Sequence, residues 1–166
     1  VDVFYMDFKN FFQWQPDANG RPLVRVNGGK FRNVGIEAEY GRRLSDRLKW
    51  NVSGSYSNPR QKEMNENYWK QAAPKLQFTT GIRYESPTWE AGTSFSFVTK
   101  RLRNRDGGLN PNIALWNAYV GYHFNKDATL RLDARNLLDR HNVITNGDYE
   151  YWGDPFTYEL SYTQKF

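Results

Sequence analysis

Apolar and polar residues alternate along most of this chain with a period of two, and this pattern constrains the fold more than any other feature. In the last stretch, FTYELSYTQKF, every second side chain except Gln164 is apolar or aromatic, and all the intervening ones are polar. The same alternation recurs throughout and predicts about eight β-strands, whereas convincing helical periodicity is missing. The predicted strands are residues 1–12, 31–44, 47–57, 75–86, 88–101, 113–124, 128–138 and 156–166. The pattern therefore predicts an all-β protein. For the first strand it does not indicate which face points inward.

The predicted connections alternate between short turns and long polar loops. Short turns are expected at residues 45–46, 86–88 and 125–127, and long loops at about 14–29, 58–74, 102–112 and 139–155. Short turns at one rim and long loops at the other are typical of antiparallel outer-membrane barrels, whose tilted strands need about ten residues to cross the bilayer.

The composition favours a membrane barrel over a soluble one. Aromatic residues make up 17% of the chain although its mean hydropathy is −0.85. Aromatic residues near strand ends are typical of membrane interfaces, and a face with many charges makes a poor dry core. The charges of the polar face are Glu37, Glu39, Arg83, Glu85, Glu90, Arg131, Asp133, Arg135 and Glu159. We therefore expect lipid on the apolar face and a lumen on the polar face; a soluble lipocalin-like barrel is the less favoured alternative.

Several functional classes are disfavoured by the composition and spacing. The chain has no cysteine, which excludes a disulfide-stapled domain, and its net charge of +5 comes from scattered basic residues, so no nucleic-acid partner is expected. His123 and His141 lack a neighbouring histidine or cysteine, so we expect no metal site and no cofactor. No nucleophile is paired with a base, so an enzyme is not expected.

Four segments resemble TonB-dependent outer-membrane receptors, and together the similarity covers essentially residues 1–166. Residues 32–59 are similar to a G-x-E-x-E hairpin of that family, and residues 72–86 to a P-x-x-x-x-x-x-G-x-x-Y strand. LRLDARNLLDRH at residues 130–141 resembles the family's V-x-N-L-F-D segment, with Leu138 in place of the usual Phe, and FTYELSYTQKF resembles its terminal strand.

The resemblance implies a fold and a location. Such receptors are barrels of roughly 22 strands around a plug. This chain opens on a strand and shows neither plug nor TonB box, so we expect residues 1–166 to be about eight consecutive strands of the C-terminal part of such an antiparallel transmembrane β-barrel. The alternative is a self-contained eight-stranded barrel of the OmpA or OmpX type with a structural or adhesion role.

The resemblance also implies a function and partners. The intact receptor would lie in a Gram-negative outer membrane and take up a nutrient, most often a ferric siderophore. Its partners would be outer-membrane lipid and lipopolysaccharide, the remaining barrel and plug, the TonB complex and the barrel-assembly machinery.

Two sets of residues are candidates for function. Loop aromatics and arginines are expected to bind substrate by stacking and paired hydrogen bonds, with loop packing, an interfacial girdle or contact with lipopolysaccharide as the competing roles. They are Trp14, Tyr68, Trp69, Arg101, Arg103, Arg105, Tyr151 and Trp152. Tyr158, Leu160, Tyr162 and Phe166 of the last strand resemble the family's assembly signal. Asn136 and Asp139 are expected to cap or bulge the preceding strand.

Overall fold

The computed structural model describes residues 1–15, 24–99, 101–102, 108–144 and 151–166. Its strands are β1 (Asp2–Gln15), β2 (Val24–Arg43), β3 (Leu48–Ser57), β4 (Arg60–Lys62), β5 (Lys70–Gln71), β6 (Leu76–Glu85), β7 (Trp89–Val98), β8 (Arg101–Leu102), β9 (Leu109–Asn110), β10 (Ile113–His123), β11 (Ala128–Arg135) and β12 (Thr157–Gln164). Within these described ranges, no helix is long and apolar enough to cross a membrane.

The long strands form one antiparallel meander in chain order. The sheet has ten strands, with the order β12-β11-β10-β7-β6-β3-β2 and β1 paired on β2. The short strand β4 pairs with β2 and β5 pairs with β4, whereas β8 and β9 form a separate two-stranded sheet. Among the described residues β1 and β12 do not pair with each other, so the sheet does not close into a barrel. The predicted all-β fold of about eight antiparallel strands is confirmed.

The predicted loop at residues 14–29 is wrong at both ends, because β1 continues to Gln15 and β2 begins at Val24; residues 16–23 lie outside the described residues. The hairpin runs through a bulge, where the register shifts between Lys9 and Phe11 and again between Phe11 and Phe12. Asn10 at this bulge has a φ of 59°. An extra residue in one strand breaks the two-residue alternation, so the pattern of the sequence ends before the strand does.

The alternating apolar and polar residues of the strands lie on two separate faces of the sheet. Neighbouring strands align apolar residues in a row from Tyr84 through Ala91, Val120 and Leu132 to Leu160. One residue along, the row is Arg83, Gly92, Tyr119, Asp133 and Glu159. Open hollows of the curved sheet lie over the second, polar face, whereas side chains such as Leu160, 65% exposed, stand on the convex face.

Gly35 allows close packing where β1, β2 and β3 meet. It lies opposite Phe4 on one side and Ser57 on the other. A Cβ atom added at Gly35 would lie 2.5 Å from Ser57 Cβ, 2.7 Å from Phe4 Cζ and 2.8 Å from the carbonyl oxygen of Tyr56. Because one of these atoms belongs to the backbone, a side chain at this position requires the strands to move apart.

Replacing Gly35 with alanine should therefore destabilise the sheet. We expect Gly35→Ala to lower the free energy of unfolding by about 1–3 kcal/mol, the usual effect of overpacking. The measurement is denaturant unfolding in lipid of the protein that contains this chain. Gly41→Ala is the matched control, on the same strand and face, because its added Cβ would meet nothing closer than the Trp50 carbonyl oxygen at 4.0 Å. Equal losses in the two variants would contradict this role of Gly35.

Candidate functional site

The concave face is a polar surface on which most charges pair with neighbours. Lys49 Nζ lies 3.1 Å from Glu85 Oε2, and Arg83 contacts the same carboxylate at 2.8 Å. Arg135 lies 3.7 Å from Glu159 on the adjacent strand. These pairs agree with the predicted lumen face, in which charges on neighbouring strands neutralise each other.

Arg131 is the centre of the best-defined charged cluster. It binds both carboxylate oxygens of Asp133, with distances of 2.8 and 2.9 Å, and its third nitrogen donates to Glu90 Oε1 at 3.0 Å. Its guanidinium carbon also lies 3.8 Å from the ring centre of Tyr119. Two carboxylates and one aromatic face therefore hold a single guanidinium group over β7, β10 and β11.

Two glycines make room for this cluster. Gly121 of β10 lies between Glu90 and Arg131 in the register, and a Cβ there would lie 2.8 Å from Glu90 Cγ. A Cβ at Gly92 would lie 2.6 Å from the Tyr119 ring. The missing side chains allow Glu90 to reach across one strand and the Tyr119 ring to lie flat on the backbone.

The acidic pair Glu37 and Glu39 differs from the rest of the concave face. Both carboxylates line a hollow together with Ser53, Ser55 and Thr79. No ion pair joins either of them to the residues that the structure describes. This hollow can therefore accept hydrogen-bond donors or a cationic group from outside the chain.

Trp50 and Trp116, two tryptophans on the convex face, have their indole N–H groups satisfied within the sheet. Trp50 Nε1 donates to Thr80 Oγ1 at 2.9 Å, and Trp116 Nε1 donates to Thr93 Oγ1 at 2.6 Å. Each threonine hydroxyl in turn donates to a backbone carbonyl at 3.0 Å. An indole without an unpaired N–H group is suited to a surface that faces hydrocarbon.

An aromatic cluster lies at the short-turn rim of the same face. Trp89 and Tyr122 have ring centres 4.8 Å apart, Tyr122 and Phe124 are 4.9 Å apart, and Phe124 and Tyr162 are 6.5 Å apart. These rings belong to three different segments of the chain. Their position at strand ends agrees with the interfacial girdle expected from the sequence.

At the long-loop rim, the substrate candidates Tyr68 and Trp69 pack against cations. The Trp69 ring centre lies 4.3 Å from the guanidinium carbon of Arg32, and the Tyr68 ring centre lies 5.7 Å from Lys70 Nζ. Arg32 points to the exposed face of β2, so Trp69 covers the outer side of the sheet. This placement agrees with loop packing or an interfacial role, the competing interpretation.

Lys70 also fixes the loop between β4 and β5. Its ammonium group pairs with Glu66 and lies 3.6 Å from Glu63 Oε1. The hydrogen bond to Glu66 raises the pKa of Lys70. Partial burial acts to raise the pKa of Glu66, but the hydrogen bonds from Lys70 and from the Glu63 N–H outweigh it, so this pKa is lowered. Both groups are therefore charged at neutral pH.

Arg101 connects two long loops. One of its terminal nitrogens donates to the Ile144 carbonyl oxygen at 3.0 Å, and the other donates to the carbonyl oxygen of Val143. Burial lowers the pKa of the guanidinium group. The structure therefore uses Arg101 to attach the loop after β11 to β8, a contact that the sequence did not indicate.

The aromatics beside this attachment are exposed. Tyr151 is 61% and Trp152 is 56% exposed, and the Trp152 ring packs edge-on against His141 at 6.1 Å. Trp14 lies opposite Arg25 at the end of the β1–β2 hairpin. Arg103 and Arg105 lie outside the described residues. The two candidate groups with described side chains, at Tyr68 and Trp69 and at Arg101, Tyr151 and Trp152, thus belong to different loops of the same rim.

The exit of β11 confirms the expected capping role of Asn136 and Asp139. Both adopt positive φ angles, 51° and 46°. The buried Asn136 amide donates to the carbonyl oxygens of Arg140 and Asp154, at 3.0 and 2.9 Å, and Asp139 accepts from the Phe156 N–H at 2.9 Å. These bonds fasten the loop that leads to β12. Sequence reasoning missed Asn142, whose amide bonds both backbone groups of Ala114.

The last strand is an exposed edge. β12 pairs only with β11 in the described chain, so its other row of backbone groups is free for a partner. Tyr158, Leu160 and Tyr162 are 74%, 65% and 60% exposed, and Phe166 extends beyond the strand. An edge strand with apolar side chains on one face can bind another sheet by strand addition.

Comparison with solved structures finds the same fold in parts of larger proteins. The E. coli K12 ferric-catecholate import receptor Fiu has 18% identity and a TM-score of 0.75 over 99% of this chain and 24% of its own. The copper transporter OprC has 17% identity and a TM-score of 0.70, over 98% of this chain and 28% of its own. The ferric citrate transporter FecA has 23% identity and a TM-score of 0.78, over 98% of this chain and 28% of its own. This chain therefore spans about a quarter of the length of these proteins.

A family model matches most of the sequence. No curated protein matches the chain at a significant level. The β-barrel model of TonB dependent receptor-like proteins matches residues 1–137, which include every long strand except β12. The chain belongs to the TonB-dependent receptor-like β-barrel family.

Proposed function

We propose that this chain is the C-terminal wall segment of a TonB-dependent receptor in a Gram-negative outer membrane. The intact receptor takes up a scarce nutrient, most often a ferric siderophore, with energy passed from the TonB complex to a plug. This segment supplies eight strands of the barrel wall, part of the outer rim and the strand that the barrel-assembly machinery binds.

The open sheet is the observation that carries this proposal. In lipid, every backbone polar group needs a partner, so a sheet that faces hydrocarbon must close. In the described chain β1 and β12 each lack a second neighbour among the long strands. Further strands of a larger barrel supply these neighbours. A self-contained eight-stranded barrel would instead require β1 to pair with β12, and no observation favours it.

The two faces fit this position in the wall. The convex face presents exposed apolar residues and satisfied indole groups to lipid. The concave face presents paired charges and the acidic hollow at Glu37 and Glu39, which is available to donors of the plug. The names of the similar structures include carriers of ferric siderophores, of ferric citrate and of copper. A ferric siderophore is the cargo most in keeping with the arginines and aromatics of the loops.

Among the arginines expected from the sequence to bind substrate, Arg103 and Arg105 are the candidates best suited to contact an anionic cargo. Arg101 already donates to two backbone carbonyls, and Trp69 covers Arg32, so both have roles within the fold. Trp14, Tyr68, Tyr151 and Trp152 supply ring faces for stacking on the cargo.

Iron uptake tests the function directly. Under iron limitation, we expect deletion of the receptor that contains this chain to abolish uptake of labelled iron from at least one of a panel of catecholate, hydroxamate and citrate siderophores. The uptake should also require TonB. Within the receptor, Arg103→Gln/Arg105→Gln should weaken binding of that siderophore at least roughly tenfold, because two charge-assisted hydrogen bonds are lost.

The matched control removes two arginines from the opposite rim. Arg42→Gln/Arg43→Gln lies at the end of β2 beside the short turn and should leave siderophore binding unchanged. A deletion strain that takes up every siderophore of the panel as before would contradict the proposed function. Equal losses of affinity in the two double variants would contradict only the role of the loop arginines.

If the last strand is the assembly signal, a substitution in it should lower the insertion of the receptor into the outer membrane and leave the stability of the folded barrel unchanged. In the intact receptor, Phe166→Ala should reduce the amount of heat-modifiable barrel in the outer membrane severalfold, because one apolar anchor of strand addition is lost. Phe124→Ala removes another exposed aromatic side chain at the short-turn rim, outside the last strand, and should not reduce this amount. Both purified variants should refold in detergent with the same yield. Normal membrane levels of Phe166→Ala would refute the assembly role.

A further inference from the structure

A row of lysines crosses three strands on the convex face near the long-loop rim. The register places Lys9 of β1 opposite Lys30 of β2, and Lys30 opposite Lys62 of β4. Residues directly opposite each other in an antiparallel pair share a face, with Cβ atoms about 5 Å apart. Lys30 lies on the exposed face of β2, so the three ammonium groups form one row on the outer surface.

A second row beside it carries two guanidinium groups. Arg32 lies opposite Asp7 of β1 and opposite Arg60 of β4. The Trp69 ring covers Arg32, and Arg60 Nε donates to Asn58 Oδ1 at 3.0 Å. We refer to Lys9, Lys30, Lys62, Arg32 and Arg60 as the basic band. Asp7 is the one carboxylate within its two rows.

The basic band begins where the exposed apolar surface ends. On β1, Val3 and Tyr5, 77% and 65% exposed, come before Lys9 on the same face. On β2, which runs in the opposite direction, Ile36 and Val34 are 44% and 49% exposed and lie farther from the long-loop rim than Arg32 and Lys30. Tyr56 of β3, 57% exposed, comes before Arg60 and Lys62. The change from apolar to basic thus occurs at one level across three strands.

The lysines of the basic band carry charge that the described chain does not neutralise. Elsewhere Lys49 pairs with Glu85 and Lys70 pairs with Glu66. No ion pair joins Lys9, Lys30 or Lys62 to any residue within the described ranges. Like charges directly opposite each other destabilise a sheet. An anionic group bound to this surface would remove that repulsion.

We propose that the basic band binds the phosphate groups of lipid headgroups in the leaflet that surrounds the long-loop rim. The inference rests on the proposed function, which places the apolar surface in the hydrocarbon and the band at headgroup level. Ammonium groups bind phosphate as point charges, and guanidinium groups add paired hydrogen bonds. Trp69 above Arg32 supplies the aromatic group that membrane interfaces favour.

Among the described residues, the basic band is confined to β1, β2 and β4. Beside the neighbouring strands at the same end, Pro74 before β6, Thr99 after β7 and Asn112 before β10 are neutral; each lies an even number of residues from a convex position of its strand. Arg101 follows Thr99 on that side, but its guanidinium group binds the loop carbonyls. A headgroup with several phosphates would therefore bind at β1, β2 and β4.

Lipid binding by the purified receptor tests this site. The receptor that contains this chain is freed of lipid in neutral detergent and titrated with lipopolysaccharide, with dephosphorylated lipopolysaccharide and with inorganic phosphate. The variant is Lys30→Gln/Lys62→Gln, and the control is Lys126→Gln/Lys165→Gln, which removes two lysines from the short-turn rim. We expect the variant to bind phosphorylated lipopolysaccharide at least fivefold more weakly, and the control to bind it as the wild type does.

The lipid-free melting temperature separates binding from folding. Removing neighbouring ammonium groups relieves repulsion, so the variant should melt at or above the wild-type temperature without lipid. An unchanged affinity of the variant for lipopolysaccharide, or a lower melting temperature without lipid, would overturn the site. So would a loss of affinity for dephosphorylated lipopolysaccharide or for inorganic phosphate that equals the loss for phosphorylated lipopolysaccharide.

Uptake of iron is a separate readout. A variant that keeps wild-type lipopolysaccharide affinity while the receptor transports iron would overturn the basic band alone. A receptor whose lipid affinity depends on these lysines, but which transports no siderophore, would contradict the proposed function and support the band.

Discussion

Main-chain hydrogen bonding between neighbouring strands is the constraint on which every other feature of this structure depends. It sets Leu132 opposite Val120 and Leu160, and one residue later it sets Asp133 opposite Tyr119 and Glu159. A slip of one residue would exchange the two faces and place charges on the apolar surface. The same bonding leaves one side of β1 and one side of β12 without a partner in the described chain, which gives the proposed place in a larger barrel.

The polar side chains of this sheet are held by hydrogen bonds and ion pairs with nearby residues. Arg131 is held between two carboxylates and a tyrosine ring, and glycines at positions 92 and 121 leave space for them. The loops at the long rim are fixed in a similar way, by Arg101 on carbonyl oxygens and by Asn136 across the exit of β11. Under the proposed function, loops fixed in this way hold the exposed rings of Tyr151 and Trp152 where a cargo can contact them.

The alternation of the sequence was sufficient to predict the eight long strands, the two faces of all of them except β1, and the short turns, because each depends on neighbouring residues. The short strands β4, β5 and β9 lie in segments that the sequence predicted as loops. The capping at Asn136 and Asp139 was predictable because it too depends on neighbouring residues. The extension of the β1–β2 hairpin was not, since the bulge at Asn10 interrupts the period. The basic band was also invisible in the sequence, where Lys9, Lys30 and Lys62 are far apart and become neighbours only through the register.

The central claim is that β1 and β12 are separated by further strands, and thiol crosslinking tests it most directly because the chain has no cysteine of its own. Cysteines at Val3 and Leu160 in the membrane-embedded protein are treated with a reagent that spans about 10 Å, two strand spacings. Cysteines at the paired positions Val3 and Ile36, and at Leu132 and Leu160, are the positive controls. We expect both controls to crosslink and the pair at Val3 and Leu160 not to. Efficient crosslinking of that pair within one molecule would show a closed eight-stranded barrel and contradict the account.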